Sequence, residues 1–116
     1  MQQDVADAII NRGYVIDYTA HIGAMLDRTS NDVRASKKIY KAAKVLQFCS
    51  AVVSRKAMEE NAANIAYCPY GIFVYETPDA PGEVNVGYRE LPGTSEGLKA
   101  VNALLDGIVK DAAEMQ

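Results

Sequence analysis

No apolar run in the sequence approaches the roughly 20 residues that a membrane helix needs, so no membrane span is expected. There is no basic excess. Fifteen acidic residues against twelve basic ones leave a net charge of −3, which argues against a general nucleic-acid binder. Eight glycines and four prolines are too few for a low-complexity chain, and no internal repeat recurs at any period. Histidine occurs once, which leaves little scope for the commonest general base. No Ser/His/Asp order, phosphate loop or acid pair of glycosidase type is present. The absence of Cys-x-x-Cys argues against a thioredoxin-type site. Two cysteines permit one disulfide or none. Secreted domains that depend on disulfides usually carry more, so this count leaves the compartment open. Met1-Gln2-Gln3-Asp4 leads straight into a helical pattern, with no signal peptide before it. The expectation is therefore a cytoplasmic chain, or a periplasmic or exported one whose leader was removed.

What is present suffices for a self-supporting core. The 116 residues are 49% hydrophobic and 23% charged, and read as a single domain over 1–116. The spacing predicts a helix over 3–12, with Val5, Ala8 and Ile9 on one face and Gly13 as its cap. Residues 14–20 alternate. Tyr14, Ile16 and Tyr18 are expected on one side, and Val15, Asp17 and Thr19 on the wet one. A short helix over 21–28 precedes a polar stretch, 29–41. Arg34, Lys37, Lys38 and Lys41 in that stretch read as a solvated loop, with a phosphate or partner patch as the sharper alternative.

The run 43–53 reads as a central strand, apolar on both faces, with Ser54 capping a helix over 55–62. Strands over 72–77 and 83–89 flank a hairpin loop, 78–82. Thr94 or Ser95 then caps a long helix, on which Leu98, Val101, Leu105, Ile108 and Ala112 form an apolar stripe. These elements imply an α+β two-layer sandwich, an antiparallel sheet covered on one face by two main helices.

Several stretches carry a family resemblance. They are Gly13-Tyr14-Val15 followed by His21-Ile22-Gly23-Ala24-Met25-Leu26; Phe48-Cys49-Ser50-Ala51; Cys68-Pro69-Tyr70-Gly71-Ile72-Phe73-Val74-Tyr75; and Val84-Asn85-Val86-Gly87-Tyr88-Arg89. Together they resemble domain-of-unknown-function family 302, from about Val5 to Ala112. The resemblance implies a TATA-binding-protein-like unit of strand, helix, four strands and helix. In this sequence the opening strand is expected to be absent. It also implies a homodimer, with no activity to carry over. Relatives with the Phe-Cys and Cys-Pro-Tyr elements are often exported.

The residues themselves offer one chemical constellation. Cys49, Cys68, His21 and Met25 combine thiol, imidazole and thioether, a donor set suited to a soft metal such as copper or zinc, or to haem iron. Absence of any cofactor is the plainer expectation, because buried cysteine, a lone histidine and methionine are ordinary structural residues. A disulfide, a metal site and structural thiols all remain open at this level. Cys68 is expected to be the more accessible thiol and Cys49 the buried one. The ligand or thiol candidates are Cys49, Cys68, Tyr70, Tyr88 and Arg89. Tyr67 and Tyr75 cluster with them, which suggests either an aromatic-lined pocket or a sheet-edge or dimer surface. The resulting reading is a dimeric domain that binds a small ligand or soft metal. The alternatives are a thiol redox or sulfur-carrier protein using Cys68 with Cys49, and an interaction module without chemistry.

Overall fold

The computed structural model describes residues 2–34 and 37–115. Ala35 and Ser36, inside the expected polar loop, lie outside the described residues. The elements run α1 (Gln2–Asn11), β1 (Ile16–Ala20), α2 (Ile22–Thr29), β2 (Ala42–Phe48), α3 (Ala51–Glu60), a 3₁₀ helix (Ala62–Tyr67), β3 (Tyr70–Glu76), β4 (Asn85–Tyr88) and α4 (Glu96–Glu114). The four strands form one sheet in the order β1-β2-β3-β4, every pair antiparallel.

The register explains the core. Leu46 stands opposite Ile72, Phe48 opposite Tyr70, and Ile72 opposite Tyr88. Side chains on partnered positions share a face, so Leu46, Phe48, Tyr70, Ile72 and Val74 form one apolar surface, all of it buried. Helices α1 and α4 cover that surface. Val5, Ala8 and Ile9 descend from α1, and all five residues of the expected α4 stripe are buried. Ser95 caps α4, its hydroxyl accepting from the Leu98 N–H at 3.3 Å. Arg12 pairs with Asp111 at 2.9 Å across the two helices. Helix α3 meets the start of α4 at Gly97, where a β-carbon would lie 2.8 Å from the Ala57 Cα. That approach admits only glycine, and it lets Glu60 accept the Gly97 N–H at 3.0 Å.

Three local expectations are corrected. The strand expected over 43–53 stops at Phe48. Ser50, not Ser54, is the cap, accepting from the Val53 N–H, so Val52 and Val53 are helical and Val52 is exposed. Ser54 instead lies buried inside α3. In β1 the register shifts between Ile16 and Tyr18, leaving Asp17 without a partner on β2. Ile16 still faces the core with Phe48, but Tyr18 falls opposite Gln47 on the outer face and Thr19 falls opposite Leu46. The bulge thus reverses the expected sides of Tyr18 and Thr19. In the basic stretch, Lys38 lies 3.6 Å from Asp27 and Lys41 lies 3.2 Å from Glu76, while Arg34 and Lys37 are exposed.

The outer face of the sheet is covered only at one end. There α2 lies so close to β2 that a β-carbon on Gly23 would stand 3.1 Å from the Ala43 nitrogen. The rest of that face carries Tyr18, Val45, Gln47, Phe73 and Tyr75, with Tyr18 exposed and Phe73 37% exposed. Phe73 stacks on Tyr75 at 5.9 Å, and Tyr40 meets Tyr75 edge-on at 5.6 Å.

Candidate functional site: a cleft beside the disulfide

Cys49 directly follows β2 and Cys68 lies two residues before β3. Since Phe48 and Tyr70 are partners in the ladder, the two cysteines fall at the same end of adjacent strands. They are joined as a disulfide with Cα atoms 6.5 Å apart, inside the range a bridge requires. Cys68 also ends the 3₁₀ helix, its N–H donating to the Ile65 carbonyl at 3.1 Å, and the Cys68–Pro69 peptide is cis. Both cysteines are half-buried, so the expected contrast between an exposed Cys68 and a buried Cys49 does not occur. Both lie just outside the ladder, where the cover is partial.

His21 and Met25 lie elsewhere. Ala20 is opposite Val45, so His21 belongs to the far end of the sheet. Cys49 is four residues along β2 from Val45, roughly 13 Å away at about 3.3 Å per residue. The fold therefore separates the imidazole and thioether from the sulfurs, and the sulfurs are bonded to each other. Among the described residues, no group of three or more His, Cys, Asp or Glu side chains is arranged to hold a metal ion.

The other candidates divide between two faces. Tyr88 is on the core side opposite Ile72. Burial and the carboxylates of Asp106 and Glu90 push its phenol above the usual tyrosine range, against a smaller opposing effect of Lys110. It belongs to the α4 contact. The Tyr70 ring is also buried, edge-on to Phe48 at 6.1 Å, with its hydroxyl 2.7 Å from that of Ser54. Arg89, by contrast, turns outward. Its guanidinium sits 5.9 Å above the Tyr67 ring, within cation–π range. No carboxylate among the described residues pairs with it within 4.0 Å.

A cleft of about 250 Å³ opens beneath Arg89. Val45, Gly71, Phe73 and Pro69 give it apolar walls, and Tyr67 and Gln47 supply polar atoms. The cleft exists because β4 leaves β3 early. The ladder ends at Tyr88, while β3 continues to Tyr70. The diverging chain is held by Asn102 of α4, whose side-chain oxygen accepts the Leu91 N–H at 2.8 Å and whose amide donates to the Leu91 carbonyl at 3.0 Å. This side chain replaces the strand partner that Leu91 lacks. Sequence reasoning passed over Asn102. Its signal was a polar residue four positions after Leu98, at the margin of the apolar stripe. Phe73, Val45 and Gln47 were also missed, because they were read only as sheet residues.

These features define a class: a two-layer α+β domain with an antiparallel sheet, stapled by one disulfide at a ladder end. The family model for "Domain of unknown function DUF302" matches residues 3–115, and the chain belongs to that family. Among solved structures, it is similar to an uncharacterized conserved DUF302 protein from Bacillus stearothermophilus, with a TM-score of 0.73 over 96% of this chain and 87% of that one. Identity is 11%, so this likeness speaks for the fold alone. No curated protein matches the chain.

Proposed function

We propose that this domain is a binding module for a small organic anion with an apolar or aromatic body, held in the cleft between Arg89 and Phe73. The observation that carries the reading is Arg89, which lies over Tyr67 at the mouth of a cleft of mixed apolar and polar lining, with no carboxylate partner among the described residues. A cation placed beside apolar walls favours a ligand that supplies the missing charge at one end and buried area at the other. The cleft, about 250 Å³, has room for a single-ring carboxylate. A hydrogen bond to a charged group contributes about 1.5–3 kcal/mol. Isothermal titration with benzoate should therefore show saturable binding that weakens about tenfold or more in Arg89→Gln. Equal binding by the two proteins would remove the cleft from consideration.

A second reading concerns assembly, and shape favours it. The accessible surface is 7208 Å², whereas a compact monomer of 12.6 kDa is expected to expose about 6,200 Å². The occupant that fits is a second copy of this chain, meeting it at the β1 edge, where Val15 and Tyr18 are 76% and 62% exposed.

A further inference from the structure

We infer that the Cys49–Cys68 disulfide is a redox latch on the cleft, an inference that rests on the anion-binding reading above. Tyr67 and Pro69, the residues on either side of Cys68, form one wall of the cleft, and Tyr67 is also the platform beneath Arg89. The Tyr67 ring packs against the margin of the core, but the backbone of this wall has no ladder bond to the sheet. Pro69 has no N–H to give to the ladder, and the pairing of β3 with β2 begins only at Tyr70. The disulfide is thus the covalent link from the wall to the end of β2. The chain between the two cysteines holds α3 and the 3₁₀ helix, which keep their own capping bonds from Ser50 and Asn61 without the sulfurs. Both cysteines are partly exposed, so a dithiol has access to the bond. Thiolate attack on one sulfur gives a mixed disulfide, which the second thiol of the reductant resolves. Two electrons and two protons pass to Cys49 and Cys68 as thiols, and the reductant leaves as a disulfide. The freed wall then samples open positions, and apparent affinity falls in proportion to the population in which it stays closed.

The test compares the oxidised protein, the protein reduced with dithiothreitol, and the Cys49→Ser/Cys68→Ser double variant. Two readouts are followed: benzoate affinity by calorimetry, and amide hydrogen exchange. The expected result is an affinity about tenfold weaker in the reduced and double-variant forms, as for a wall closed about a tenth of the time. Amide protection should fall at Tyr67 and Gly71 and hold at Leu46 and Ile72. Unchanged protection at Tyr67 and Gly71 overturns the latch. So does an equal loss at Leu46 and Ile72, because the disulfide would then staple the whole domain. Absence of benzoate binding in the oxidised protein would defeat the ligand reading by itself, and local protection would still decide whether the disulfide holds the wall.

Discussion

Tyr70 shows how one side chain can sit at a candidate site and still serve the core. Its backbone position borders the cleft, but its ring is 3% exposed and its hydroxyl meets Ser54, itself 7% exposed. Removing that hydroxyl leaves a buried polar group without its partner, a cost of about 1–3 kcal/mol. Tyr70→Phe should lower the urea midpoint accordingly with the unfolding slope unchanged, and should leave benzoate affinity unchanged. A variant as stable as the parent would show that water replaces the lost partner. Some of this was legible in sequence and some was not. The tyrosines near Cys68 and Arg89 are visible as a cluster. Whether each points inward or outward depends on strand register, which no single residue encodes. So the Tyr70 ring is buried in the core, Tyr88 packs against it, and Tyr67 packs at its margin while also lining the cleft.

Among the elements, the β3–β4 hairpin carries a pH-sensitive tie. The Glu76 carboxylate accepts the Gly82 N–H at 2.7 Å and lies 3.2 Å from the Lys41 ammonium. The Gly82 hydrogen bond, and then Lys41, hold this carboxyl below the usual glutamate range. A folded-state value lowered in this way means that the tie is complete above the ordinary glutamate range. It is lost as pH falls through the depressed value. Protection of the Gly82 amide should therefore decline on acidification, while Leu46 and Ile72 in the central ladder keep theirs. In Glu76→Gln that pH step should vanish; a step of the same size would place its origin in another group. Long periodic elements such as α4 were readable because their stripe repeats five times. The end of β2 was not, because Val52 and Val53 favour a strand by composition. Ser50 overrides them by capping a helix immediately after Cys49.

The whole molecule is a slab. It measures 46 × 33 × 23 Å, and its radius of gyration is 15.7 Å, where a compact chain of this length would have about 13 Å. Two layers, one of helices and one of strands, account for the thin dimension, and they leave most of the outer sheet face uncovered. A second copy at the β1 edge would give a particle of twice the chain mass. Sedimentation equilibrium at micromolar concentration should report that mass, and Tyr18→Lys should shift it toward the single chain. A single-chain mass for the parent would mean that the broad surface stays open. The layer order could be read from the succession of elements. The flatness could not, because it depends on α1 and α4 sharing one face while only short α2 reaches the other.

The bulge in β1 has a consequence for chain length. Asp17 is the residue left over between two partnered positions. Deleting it would join Ile16 to Tyr18 with Phe48 and Gln47 already adjacent on the opposing strand. Each side chain would keep the side it now occupies. Elsewhere in a two-sided ladder, losing one residue exchanges inside for outside along the rest of the strand. At Asp17 the strand holds a spare residue, so a shortened sequence and this one would describe the same sheet.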